Sequence, residues 1–226
     1  MKWFWKFSRN LLIFFFASSI LAVIALRFVP VYITPLMLIR SIEAITDGEM
    51  PKIKKNWVSI DGISQNMVQA VVASEDNLFM QHHGFSIQDI HKAIKHNKNG
   101  KRIHGGSTIS QQTAKNVFLW PDRSWVRKGL EAYFTVLIEL FWSKERIMEV
   151  YLNVIETGDG IYGVEAASQF YFNKKSLNLT KSQAALIAVC LPNPRKFNPA
   201  NPSGYILFRK NHIINLMGKL HRVSFE

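Results

Sequence analysis

Apolar and polar positions divide this chain into two unequal parts. Residues 11–26, LLIFFFASSILAVIAL, contain no charged side chain, and apolar character continues past Arg27 through Phe28, Val29, Val31, Tyr32 and Ile33. Such a run of roughly 20 residues is long enough to span a bilayer. From residue 63 onward the pattern takes helical spacing. Met67, Val68, Val71 and Val72 fall on one face, and Glu75 emerges where that buried helix ends. Ser86 and Asp89 make a capping-box-like start for a helix carrying Ile87, Ile90 and Ile94. Ile109, Val117 and Phe118 lie opposite a polar face of Gln111, Gln112, Lys115 and Asn116. Ser124 caps a long helix reaching about Trp142, with Val126, Leu130, Tyr133, Phe134, Leu137, Leu140 and Phe141 as its apolar face. Ser143 caps the next, which buries Ile147, Val150 and Tyr151. Thr180 and Gln183 form a capping box for a helix through Cys190 that the LPNPR turn ends. A last amphipathic helix runs from about Gly204 to Leu220. Repeats are absent and strand candidates almost so, which makes the chain mainly α.

These patterns give a domain plan: an N-terminal segment 1–10, a membrane-spanning stretch 11–33, a connecting segment 34–62 of mixed polarity, and a domain over 63–226. Lys2, Lys6 and Arg9 precede the apolar run, which places the N-terminus in the cytoplasm and the domain outside. A cleaved signal peptide is the competing reading. The apolar run is long for one, and no clear A-x-A site precedes a polar start. The net charge is +12, with 28 basic and 16 acidic residues. Four of the basic residues belong to the anchor region and all the acids lie beyond it, so a basic outer domain remains. It suits anionic lipid head groups or diphosphates, and an anchored outer domain makes nucleic acid an unsuitable partner. The single cysteine, Cys190, sits in the apolar run AALIAVC and packs as a small hydrophobe.

Three stretches carry candidate chemistry. ASEDNLFMQHHG, residues 73–84, sets Glu75 and Asp76 at a helix end beside a compact loop, where a carboxylate can have its basicity tuned. The plainer alternative is a surface acidic pair that merely ends a helix. HGGSTISQQTAKN, residues 104–116, has glycines that permit close backbone approach, Ser107 or Thr108 as cap, and free N–H groups with Lys115 following, a combination suited to anions. It lacks the P-loop pattern. Arg127 and Lys128 stand one turn from Glu131 on the long helix, the spacing of an ordinary ion pair. The basic stretch 91–102 reads as a solvated loop, or as a contact for a negative membrane surface. GDGIYG, residues 158–163, formally matches G-x-G-x-x-G, but no βαβ pattern surrounds it and no acidic residue between 166 and 225 could hold a ribose.

Taken together, these stretches resemble the monofunctional biosynthetic members of the peptidoglycan glycosyltransferase (transglycosylase) family. The resemblance rests on ED-x-x-F-x-x-H-x-G at 75–84, GGSTISQQTAKN at 105–116 and RK-x-x-EA at 127–132. It continues through K-x-x-I-x-x-x-YLN at 144–153, G-x-x-G-x-x-x-A at 160–167 and the LPNP turn at 191–194. It implies a lysozyme-like α fold, behind a single transmembrane helix, that polymerises lipid II into glycan strands. The acceptor's 4-hydroxyl would attack the anomeric carbon of the growing chain, with inversion and release of undecaprenyl diphosphate. Glu75 matches the general base and Glu131 the second essential carboxylate. Lys115 and Arg123 match the residues that hold the donor diphosphate. Gln111, Gln112, Asn116, Arg127 and Lys128 line or support the cleft, and Ser107 and Thr108 are counted with the substrate-binding residues.

The chemistry of the residues agrees with that assignment. Diphosphate leaves well once cations stabilise its charge, so Lys115 and Arg123 suit it better than the protonated acid a glycosidase needs. No tightly bound cofactor is implied. A divalent cation, Mg2+ or Mn2+, could bridge diphosphate and carboxylate, although no metal-ligand cluster stands out. Expected partners are lipid II, the growing strand, membrane lipids and proteins of cell-wall synthesis or division, at the inner (cytoplasmic) membrane. A membrane-anchored peptidoglycan hydrolase and a non-catalytic cell-wall scaffold are the rival readings. Neither S-x-x-K nor K-T-G occurs, so no penicillin-binding transpeptidase signature accompanies these motifs.

Overall fold

The computed structural model describes residues 2–86, 106–122 and 124–225. The helix expected after Ser86, the basic stretch 91–102 and Arg123 therefore lie outside the described residues. The long apolar run forms helix α1, Lys2–Leu26, whose 25 residues make a rod about 37 Å long. Most of α1 is exposed, and only Ser19 and Val23 are buried. That is the state of an apolar helix with little protein around it.

The connecting segment holds more structure than its mixed polarity suggests. Thr34 caps and Pro35 opens helix α2, Pro35–Thr46, an arrangement in which the missing proline N–H costs nothing. A short strand β1, Lys54–Lys55, and a 3-10 turn at Ile60–Gly62 follow. Helix α3, Gln65–Glu75, starts at Ser64, whose side chain accepts from the Asn66 N–H. Then come α4, Ile109–Phe118, α5, Trp125–Phe141, and α6, Lys144–Val154. Ser124 and Ser143 cap α5 and α6 through their side chains, as their positions predict. After a hairpin come α7, Val164–Phe172, α8, Lys181–Cys190, and α9, Gly204–Lys219. Thr180 and Gln183 complete the predicted capping box on α8.

The hairpin adds strands that the pattern of residues does not announce. β2, Glu156–Gly158, runs antiparallel to β3, Ile161–Tyr162, and β1 pairs parallel to β3 on its other edge. Glu156 lies opposite Tyr162 and Lys54 opposite Ile161. The GDGIYG segment therefore turns a hairpin and starts α7. Gly163 has φ +81°, and a Cβ there would lie 2.7 Å from the Asn153 carbonyl oxygen, so both conformation and space call for glycine.

α3 packs against α8 and α9, while α4 packs against α5 and α6. Met67, Val71, Ile109, Ile138, Ile147, Tyr151 and Ile187 are buried in the core between them. α1 leans on α5. The Ser19 and Tyr133 hydroxyls are 2.7 Å apart, the Phe15 and Phe16 rings pack against Tyr133, and Trp142 Nε1 donates to the Val23 carbonyl at 2.8 Å. Arg146 donates to the carbonyl of Leu26, the last residue of α1, at 2.8 Å, and beyond α1 Lys55 donates to the Tyr32 carbonyl at 2.9 Å. The apolar face predicted for α5 is wider than what covers it. Phe134 and Leu137 are buried, yet Val126 is 72% and Leu140 69% exposed, leaving an apolar stripe beside α1.

Candidate active site

Glu75 is the last residue of α3, and the segment after it is held by its own motif. Asp76 is buried and caps the helix end. Both its carboxylate oxygens lie 2.9 Å from His82 Nε2, and Oδ2 also accepts the Ile109 N–H at 3.0 Å. His82 Nδ1 accepts the Gly84 N–H at 3.1 Å, so the ring proton sits on Nε2 and points at Asp76. Lys144 closes the loop from outside: its Nζ donates to the His82 carbonyl at 2.6 Å and to Glu139 at 2.8 Å, and stands 4.7 Å from the centre of the Phe79 ring.

The N-terminus of α4 is tied to that loop. Thr108 and Gln111 form a reciprocal capping box, and Thr108 Oγ1 donates to the Gly84 carbonyl at 2.7 Å. The anion at this helix start is Asp76, through the Ile109 N–H. Thr108 and Gln111 are both buried, with their polar atoms engaged in the cap. Ser107 is half-buried, and its carbonyl accepts from Gln112 at 3.5 Å.

Gln112 turns the other way. Its Nε2 donates to Glu75 Oε2 at 3.0 Å, while Tyr151 donates its hydroxyl to Gln112 Oε1 at 3.3 Å. Ser74 Oγ donates to Glu75 Oε1 at 3.2 Å. Burial pushes the Glu75 carboxyl up, against the opposing pull of the Gln112 and Ser74 hydrogen bonds and of the Arg209 guanidinium on α9. The dominant influence is thus desolvation, not the cations nearby. The result is a more basic carboxylate than an exposed glutamate.

Gln112, Lys115, Asn116 and Arg127 line one cleft of about 350 Å3, walled further by Trp120, Arg40 and Glu156, and by Pro192 and Pro194 of the turn after α8. Burial lowers the Lys115 ammonium, Glu131 raises it, Arg127 and Lys128 lower it further, and Glu75 raises it slightly. Lys115 therefore lies among both candidate carboxylates and two more cations. Glu131 is buried, with Arg127 Nη1 at 2.9 Å on one oxygen and Lys128 Nζ on the other. Such a buried carboxylate is an anchor that fixes Arg127 at the cleft and holds Lys128 beside it on the same helix.

Among the described residues, no group of three or more His, Cys, Asp or Glu side chains comes together to hold a metal ion. Both oxygens of Glu131 are occupied, and those of Glu75 already accept hydrogen bonds. That donor set does not fit a protein-held Mg2+ or Mn2+.

A family model described as transglycosylase matches residues 42–218, from within α2 to the end of α9. The chain belongs to the transglycosylase family. A biosynthetic peptidoglycan transglycosylase of Bacteroides thetaiotaomicron is 60% identical over 212 residues, covering 94% of this chain and 86% of that protein. The protein of the same name from Bdellovibrio bacteriovorus is 55% identical over 210 residues, covering 93% and 84%. The one from Caulobacter vibrioides is 48% identical over 218 residues, covering 95% and 93%.

Within this transglycosylase, several motif residues serve the scaffold. Asn153 accepts the Val58 N–H at 3.0 Å and donates to the Val58 carbonyl at 2.8 Å, fastening the segment before α3 to α6. Reading the sequence takes Tyr151 as a core residue and gives no role to Arg209, Arg40 or Glu156. Each belongs to an element remote in sequence from the residue it adjoins, so no local pattern signals it.

Proposed function

We propose that this chain is a peptidoglycan transglycosylase that polymerises lipid II into glycan strands, with Glu75 as general base. The acceptor's N-acetylglucosamine 4-hydroxyl attacks the anomeric carbon of the donor N-acetylmuramic acid. The new O4–C1 bond forms as the bond from C1 to the diphosphate oxygen breaks, the hydroxyl proton passes to Glu75, and undecaprenyl diphosphate departs with inversion. The observation that carries this reading is the raised Glu75 carboxyl, oriented by Gln112, next to a cleft lined with Lys115 and Arg127. A base of increased basicity takes the proton, and cations stabilise the leaving group. Lys115, with Arg123, is assigned to the diphosphate. Glu131 holds Arg127 and Lys128 in place, Asn116 lines the cleft, and Thr108 and Gln111 cap the helix that carries Gln112, Lys115 and Asn116.

The same reading places α1 across the cytoplasmic membrane, with Lys2, Lys6 and Arg9 on the cytoplasmic side and the domain outside. The exposed apolar length of α1 supports it, as do the Val126–Leu140 stripe and the contacts of Tyr133 and Trp142 with α1, which a cleaved leader would forfeit. Anchoring keeps the cleft beside a lipid-linked substrate. Proteins of cell-wall synthesis or division are proposed as recruiting partners on the resemblance alone. The test is incubation of the detergent-solubilised protein with labelled lipid II, with separation of products by length. Long glycan chains and free undecaprenyl diphosphate are expected. Shortening of preformed glycan without polymer would overturn the assignment.

A further inference from the structure

One wall of the cleft carries polar atoms that the reaction above does not use. Arg40 of α2 and Glu156 of β2 both line it. Their facing atoms, Arg40 Nε and Glu156 Oε1, are 3.9 Å apart, beyond hydrogen-bond reach. Both atoms are buried and find no hydrogen-bond partner among the described residues, and the same is true of the Tyr162 hydroxyl. Tyr162 stands directly across the hairpin from Glu156, and directly opposed residues share a face. The Arg40 guanidinium is held from its other side, where Nη1 donates to Glu43 at 2.7 Å.

A closed structural ion pair would bring these charges to about 2.8 Å. Here a gap separates them, and three buried polar groups left open are costly unless something fills it. The occupant must accept from Arg40 and donate to Glu156. Phosphate accepts but cannot donate, and the Glu156 carboxylate repels it. A metal cation is disfavoured by Arg40 and by Arg195, which pairs with Asp159 at 3.3 Å on the same hairpin. A saccharide hydroxyl, or the amide of an N-acetyl group, does both at once.

We propose that Arg40 and Glu156, which line the cleft, form a saccharide-binding subsite with the buried Tyr162 behind them, gripping a hydroxyl or N-acetyl amide of the donor strand. Burial raises the Glu156 carboxyl and lifts the Tyr162 phenol to about 12, so the phenol stays protonated and available as a donor. The helix that follows the membrane anchor thus supplies one side of the grip. This inference rests on the proposed lipid II reaction and names the part of the donor that its cleft holds.

The test uses the full-length protein in detergent. Arg40→Ala, Glu156→Ala and the double variant are compared for KM and kcat with lipid II, and for melting temperature. Each single variant is expected to raise KM about tenfold with kcat little changed, the loss of one hydrogen bond to a charged group. The double variant should be no worse than either single one, because both residues hold the same group. Tyr162→Phe should raise KM by a smaller factor at an unchanged melting temperature. Should the alanine variants fail to fold, Arg40→Lys, Glu156→Gln and Tyr162→Phe carry the test. An unchanged KM, meaning an ordinary ion pair or a trapped water, overturns the subsite, and so do multiplicative effects in the double variant. A KM penalty that vanishes with lipid II lacking its stem peptide also overturns it, since the peptide would then be the occupant. A wild-type protein that makes no polymer refutes the proposed function, whereas polymer made equally well by all variants refutes this subsite alone.

Discussion

Gln112 gives its amide N–H to Glu75 at 3.0 Å while its carbonyl receives the Tyr151 hydroxyl at 3.3 Å. The phenol is fully buried and its pKa lies well above the usual range, so it remains a donor. It thereby sets which end of the Gln112 amide faces the carboxylate. Glu75 is held by a chain of two hydrogen bonds anchored in the core of α6. A loose surface glutamate would have no such orientation.

The first prediction concerns that chain. The Gln112 hydrogen bond favours the ionised form of Glu75, so Gln112→Ala should raise the Glu75 pKa above its already elevated value. A base works only when ionised. The acid limb of kcat/KM should therefore lie above the ordinary glutamate range in the wild type and move higher in the variant. At neutral pH the variant should lose about tenfold or more, consistent with ~1.5–3 kcal/mol for a hydrogen bond to a charged group. A pH–rate profile of both proteins measures it.

Burial of Glu75 also has a stability consequence. A carboxyl whose pKa is raised on folding adds stability below its unfolded pKa and loses that stability as pH rises through the folded one. At neutral pH the ionised group strains the fold. Glu75→Gln should melt at a higher temperature than the wild type at pH 7, with the difference shrinking toward pH 4. Thermal melts across that range check it.

Lys115 has the opposite sign. Burial and two neighbouring cations lower its pKa, so it loses its proton below the usual lysine range. The KM for lipid II should rise with pH before 10.5 is reached, as the ammonium that meets the diphosphate is neutralised. Lys115→Arg should remove that rise, because a guanidinium stays charged. Lys115→Ala should weaken donor handling at every pH. Steady-state kinetics from pH 7 to 10 separate the three proteins.

Asp76 is assigned to the scaffold. Asp76→Ala leaves the Ile109 N–H and the His82 ring N–H buried without their acceptor. At about 1–3 kcal/mol for each buried unsatisfied group, a loss of about 2–6 kcal/mol is expected. Gly84→Ala should also destabilise. Its φ of +87° disfavours any side chain, and a Cβ would lie 2.8 Å from Thr135 Cγ2 and 3.1 Å from Glu139 Cγ. Chemical denaturation of both variants measures the two costs.

How far the sequence led can be seen residue by residue. Ser124, Ser143 and Thr180 start their helices where their side chains predict, because capping is a local interaction of three or four residues. α2 follows an apolar run at once, which masks its periodicity, although Thr34 and Pro35 carry a start signal. Strands of two or three residues are too short to display an alternating pattern. Val126 and Leu140 lie on the apolar face of α5 as expected, but periodicity shows which face is apolar and not what covers it. At the candidate site, the motifs single out Glu75 and Lys115, and the structure sets both beside Gln112, which bonds Glu75 and lines the same cleft as Lys115. The approach of Tyr151 to Gln112 and of Lys144 to His82 depends on helix packing, which no local spacing encodes.

The most direct measurement pairs binding with turnover for Glu75→Gln, in full-length protein with labelled lipid II. Glutamine keeps the shape and most of the hydrogen bonding but cannot take a proton at neutral pH. Lipid II should bind the variant within a few-fold of the wild type while polymerisation disappears. A Glu75→Gln protein that polymerises at the wild-type rate would contradict Glu75 as the base.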